Sequence, residues 1–78
     1  MASMKELVEF IAKSIVDDPS QVHVSEIEGE AAVILELRVG PEDMGRVIGR
    51  GGRTANAIRA LVRVLAAKQG KRVTVEIV

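Results

Sequence analysis

Four consecutive residues, Gly49-Arg50-Gly51-Gly52, combine what the binding of a phosphate group demands. Glycines let a backbone approach a phosphate without interference from a Cβ. Arg50 lies inside the stretch, Arg46 and Arg53 flank it, and Arg59 follows further on. Guanidinium groups form forked hydrogen bonds to phosphate oxygens. If a helix starts directly after Gly52, its free amides and positive dipole end point into the same loop. The pattern predicts a phosphate clamp, with Arg59 as a secondary contact. A plain helix-helix turn accounts poorly for three glycines set among four arginines between Arg46 and Arg59. A nucleotide-binding P-loop is excluded on two grounds: no G-K-[ST] follows the glycines, and the preceding segment reads as a short helix rather than a strand.

No other constellation carries chemistry. His23 is the sole histidine and has no second nitrogen or sulfur ligand near it in the chain, so it reads as an edge-strand residue rather than a metal ligand. Asp17 and Asp18 read as the solvated end of a helix before Pro19, and Glu26, Glu28 and Glu30 as the acidic rim of a hairpin. No serine, threonine or lysine has an activating base. The sequence predicts no enzyme activity, no cofactor and no metal.

The elements that must position the loop follow from periodicity. Ser3-Met4-Lys5-Glu6 has capping-box spacing, and Leu7, Val8, Ile11, Ala12 and Ile15 recur as one helical face, which predicts a helix over Met4 to Val16 ended by Asp17-Asp18-Pro19. Gln21 to Glu28 and Ala31 to Val39 read as strands of a hairpin, with Gly29 at a reversal that would need positive φ. In the second strand Val33, Leu35, Leu37 and Val39 form an apolar face, leaving Ile34 partly exposed on the other. Gly40-Pro41-Glu42-Asp43 opens a short second helix that runs into the glycine loop. A third helix is expected from Arg53 to Lys68 with Ile58, Leu61, Val62 and Leu65 buried, closed by Gln69-Gly70, before a last strand from Arg72 to Ile77. The order is α-β-β-α-α-β. It predicts an α+β fold: a three-stranded mixed sheet with three helices on one face.

Composition agrees with one small domain spanning residues 1–78. At this length only about 60% of the unfolded surface is buried, so the core must be efficient. The hydrophobic fraction of 47% is almost wholly aliphatic, Phe10 being the only aromatic. The absence of cysteine fits a reducing, cytoplasmic setting, and no apolar run suggests a signal peptide or membrane span. The net charge of zero hides an asymmetry. Residues 1–40 hold three Lys/Arg against eight Asp/Glu, residues 41–78 hold eight against three, and no acid occurs from Met44 to Val75. The second half should build an electropositive surface, with the acidic half behind it.

Val47-Ile48-Gly49-Arg50-Gly51-Gly52-Arg53-Thr54-Ala55-Asn56-Ala57-Ile58 resembles the KH-domain signature, in which an apolar pair precedes a G-x-x-G loop and an isoleucine follows on the next helix. The element order is similar to that of type-II KH domains. The resemblance covers nearly the whole chain and is closest to the small stand-alone bacterial proteins of the KhpA family. It implies a cytoplasmic RNA-binding protein and RNA chaperone that forms homodimers, joins a larger KhpB-like multidomain KH protein, and is linked to cell-wall homeostasis and cell length. It also implies that the loop grips the backbone of about four nucleotides of single-stranded RNA while bases lie in an adjacent apolar groove. Carried onto this chain, the grip falls on Gly49, Arg50, Gly51 and Gly52, with Arg46, Arg53 and Arg59 beside it. The groove is expected near Val47, Ile48, Ala55, Ile58 and the second strand around Leu37 to Val39. With no aromatic near the loop, base stacking is not available, so affinity should be modest and sequence preference weak. A reading of another class is a protein-protein assembly module with little RNA binding of its own, using Ile34, Val64 and the third helix.

Overall fold

The computed structural model describes residues 3–78. Helix α1, Met4–Ile15, begins at the expected capping box: the Ser3 hydroxyl accepts from the Glu6 amide at 3.1 Å, and Glu6 Oε1 accepts from the Ser3 amide at 3.4 Å. It ends one residue before Val16, whose extended backbone still donates its N–H to Ala12. A 3-10 turn at Pro19–Gln21 then delays the first strand, so β1 is His23–Glu28 rather than starting at Gln21. The cause is Asp18, whose carboxylate accepts from the Ser20 amide at 3.2 Å and from Gln21 Nε2 at 2.8 Å, an arrangement incompatible with extended backbone.

Strand β1 pairs antiparallel with β2, Val33–Arg38, from His23 opposite Arg38 to Glu28 opposite Val33. The second strand is thus shorter at both ends than Ala31 to Val39. Gly29 does not have the expected positive φ; among the described residues that conformation belongs to Gly49, Gly51, Gly52 and Gly70. Its amide instead donates to the Ala32 carbonyl at 2.8 Å, and a Cβ would lie 3.2 Å from that oxygen. Close approach, not a left-handed turn, is what glycine supplies here.

A 3-10 turn at Pro41–Asp43 leads into helix α2, Met44–Ile48, and after the glycine loop helix α3 runs over Arg53–Lys68 as expected. Strand β3, Val73–Ile77, lies parallel to β2, with Val33 opposite Val73 and Leu37 opposite Ile77. The sheet order is β1-β2-β3, one antiparallel and one parallel pairing, with the three helices packed against it. The core joins Val8 and Ala12 of α1, Val47 of α2, Ile58 and Val62 of α3, and Val24, Leu35, Leu37 and Val75 of the sheet.

One expected stripe is displaced. Leu61 and Leu65 of α3 are 54% and 36% exposed, whereas Ala55, Ile58, Val62 and Ala66 are buried. The short side chains of Ala55 and Ala66 let the helix approach closely along their own line, and this rolls Leu61 and Leu65 toward solvent.

Candidate nucleic-acid interface

Gly49 caps α2 with its amide donating to Gly45 at 2.9 Å, and its φ of 77° and ψ of 171° lie in a region open essentially to glycine alone. Its α-carbon packs directly on Thr54: a Cβ would sit 2.8 Å from the Thr54 amide nitrogen and still nearer the Thr54 hydroxyl. A Cβ on Gly51 (φ 64°) would meet nothing within 4 Å beyond its chain neighbours, so this position stands open. Gly52 is left-handed at φ 79°, ψ 13° and leads into α3, and no side chain caps that helix. The Gly52 and Arg53 amides are taken by the carbonyls of Gly49 and Arg50, which winds the loop directly into the first turn of α3.

The arginines fall into different settings. Arg50 and Arg53 are exposed and take part in none of the ion pairs among the described residues. Arg46 is turned toward α1: its Nη2 lies 3.2 Å from Asp17 Oδ2, and its Nε 3.9 Å from Asp43 Oδ1. Asp43 is 4% exposed, and its two oxygens accept from the amides of Asp17 and Asp18 at 3.0 and 3.1 Å. The carboxylate thus ties the end of α1 to the start of α2 and so sets the helix that carries the loop. Nothing in the sequence pattern marked Asp43 for this; the partner amides are 25 and 26 residues away. Arg59 is half-buried, with Nε donating to the Val75 carbonyl at 3.1 Å.

Of the apolar residues expected beside the loop, Ile48 is 38% exposed, whereas Val47, Ala55 and Ile58 are buried. The three buried residues hold α2 and α3 together beneath the loop. Leu37 and Val39 are also core residues, so their side chains do not line an open groove. An open cleft lies between α3 and β3, beside Arg59 and Val75. Strand β3 is a sheet edge. Because Arg72 O accepts from Val33 N and Val78 N donates to Leu37 O, alternation in a parallel pair turns the N–H and C=O groups of Val73, Val75 and Ile77 outward.

A glycine loop between two short-coupled helices, set on an α-β-β-α-α-β fold with a mixed sheet, is the arrangement of a type-II KH domain. The family described as KhpA/KhpB, KH domain, matches residues 5–77, and the chain belongs to that family. Curated relatives named RNA-binding protein KhpA include that of Clostridium perfringens, 61% identical over 75 residues, covering 96% of this chain and 100% of the relative. That of Aquifex aeolicus is 48% identical over 77 residues, covering 99% and 98%. Among solved structures, Aquifex aeolicus Era in complex with GDP.AlF4- superposes with a TM-score of 0.66 at 22% identity, over 95% of this chain and 29% of that one, which shows a shared fold. As a member of a KH-domain family the chain is a non-catalytic binding domain.

Proposed function

We propose that this domain binds single-stranded RNA, with Gly49 to Gly52 gripping the backbone and Arg50, Arg53 and Arg59 supplying cations. The observation that carries the reading is the loop itself: Gly49 and Gly52 at positive φ bend the chain around an open position at Gly51, next to exposed Arg50, at a start of α3 that no side chain caps. Arg46 joins the site by exchanging its contacts with Asp17 and Asp43 for a phosphate. Ile48 offers the apolar surface beside the loop. Curated relatives covering 96% of the chain carry an RNA-binding name, which supports the same reading. Crosslinking to RNA in cells tests it: the native chain should be recovered with RNA, and a chain carrying Arg50→Asp with Gly51→Asp should not. Equal recovery of both would remove the loop from the account.

Self-association accompanies this role. Leu61, Val64 and Leu65, spaced i, i+3, i+4 on α3, form an apolar side at 54%, 61% and 36% exposure that a second copy would cover. The family resemblance extends the proposal to an RNA chaperone that acts in the cytoplasm, as a homodimer and with a KhpB-like multidomain KH protein, in cell-wall homeostasis and the control of cell length. Among the described residues no helix is long and apolar enough to cross a membrane.

A further inference from the structure

We infer that Asp17 is a built-in competitor for RNA: its carboxylate holds the Arg46 guanidinium that would otherwise take a backbone phosphate beside Gly49 to Gly52, and so limits the affinity of the loop. The inference rests on the RNA reading above and adds to it a residue that works against binding. Arg46 stands in the last turn of α2, about 4.5 Å from Gly49 along the axis at 1.5 Å per residue. Unlike Arg50, Arg53 and Arg59, it already has anionic partners among the described residues. Its Nη2 donates to Asp17 Oδ2 at 3.2 Å, while its Nε is 3.9 Å from Asp43 Oδ1, beyond hydrogen-bond reach.

The two carboxylates serve different ends. Asp43 is buried, and its oxygens are taken by the amides of Asp17 and Asp18. The bond to its own amide fixes Asp17 against the start of α2 and presents its side chain to Arg46. Asp18 is turned away into the 3-10 turn, where it accepts from Ser20 and Gln21. The Asp17 carboxylate, by contrast, caps no helix, and Arg46 is its one donor among the described residues. The Asp17 side chain is 78% exposed and that of Arg46 55%. An ion pair this open adds little to stability, so bracing the fold is a poor account of the acid at this position.

Competition follows from the shared donors. A guanidinium meets carboxylate and phosphate through the same forked N–H groups, so Arg46 serves one or the other. RNA must displace Asp17 and then lie beside the freed carboxylate, which repels it. An exposed pair of this kind favours its closed form by about 1.5- to 5-fold, and the apparent affinity falls by the same order. The alternative is a general effect of charge, since Asp17, Asp18, Glu42 and Asp43 line one cleft and would repel a polyanion as a group. Glu42 separates the two accounts: it lines that cleft, is exposed, and takes part in no ion pair among the described residues.

The test titrates a labelled 4-nucleotide single-stranded RNA, at about 50 mM salt, where surface charges are weakly screened. The proteins are the parent, Asp17→Asn, Asp17→Ser, Glu42→Gln, Arg46→Gln, the double variant Asp17→Asn with Arg46→Gln, and the loop variant (Arg50→Asp, Gly51→Asp). Asp17→Asn and Asp17→Ser should each bind about 3-fold tighter than the parent, the serine removing any amide that stands in for the carboxylate. Glu42→Gln should stay within about 1.5-fold of the parent. With Arg46→Gln already in place, Asp17→Asn should do no more than Glu42→Gln does, because the partner that couples it to RNA is gone. Parent-like or weaker binding by both Asp17 variants overturns the inference. The same gain with and without Arg46, or an equal gain from Glu42→Gln, also overturns it, in favour of general charge. A lowered melting temperature with unchanged affinity would make the pair a structural brace. Failure of the RNA reading itself shows differently, as undiminished binding by the loop variant. Thermal melting of every variant verifies the fold, since the substituted residues are all exposed.

Discussion

Gly49 and Thr54 are in direct contact across the loop: a Cβ on Gly49 would meet the amide nitrogen of Thr54 at 2.8 Å. The loop is closed by backbone packed on backbone, so its shape depends on the missing side chain. Gly49→Ala should therefore destabilise the domain by about 1–3 kcal/mol, the range for a residue forced into a sparsely allowed conformation. Gly51→Ala, at positive φ but with open space around it, should cost less, about 1 kcal/mol. Urea midpoints of the two variants check the order, and equal midpoints would contradict it.

Replacing Arg50 and Gly51 together by aspartate should abolish RNA binding and keep the fold. Both residues are exposed and neither touches the core. The change reverses the charge where a phosphate would sit, and aspartate tolerates the left-handed backbone of Gly51 better than most residues. Stability should fall by about 1 kcal/mol or less, as for most surface changes. Thermal melting and oligonucleotide titration are read together. A folded double variant that binds like the parent transfers the function to the assembly reading.

Binding of a tetranucleotide at the loop should be dominated by counterion release, because no aromatic side chain is available for stacking there. With Arg50, Arg53 and Arg59 each meeting a phosphate, log K should fall against log salt with a slope near −2, or about 15-fold between 50 and 200 mM. A flat salt dependence would contradict this account.

Val64 is 61% exposed on the outward side of α3, flanked by the less exposed Leu61 and Leu65. Sedimentation of the parent at ~100 μM should show more than the mass of a single chain, since interfaces of micromolar affinity are populated there. Val64→Asp should return the mass to that of one chain without lowering the melting temperature of the monomer. A parent that is strictly monomeric at that concentration would refute the homodimer.

Asp18 is held below its ordinary carboxylate value of 3.8 by hydrogen bonds from Gln21 and then Ser20. A carboxylate lowered in the folded state contributes stability that is complete above the unfolded pKa and lost as pH falls through the folded one. The gap in melting temperature between the parent and Asp18→Asn should thus be constant from pH 7 to about 5 and close below pH ~4. A gap that persists unchanged to pH 2 would show that the charge of Asp18 is not involved.

The helices and the loop were legible in the sequence because their determinants are local. The Ser3 and Glu6 capping pair, the proline and acids before α2, and the glycines of the loop act within a few residues of themselves. The α-β-β-α-α-β order then left few topologies for a mixed sheet. Tertiary structure decided what depends on distant partners. The roll of α3 that exposes Leu61 and Leu65 is set by how closely Ala55 and Ala66 pack, and the anchoring of α2 by how the Asp43 carboxylate meets amides of Asp17 and Asp18. The same holds for the groove. Alternation along β2 marked Leu37 and Val39 as apolar, but only the sheet order shows that β2 is central and that β3 presents the open edge, because strand adjacency is a pairing of segments far apart in the chain.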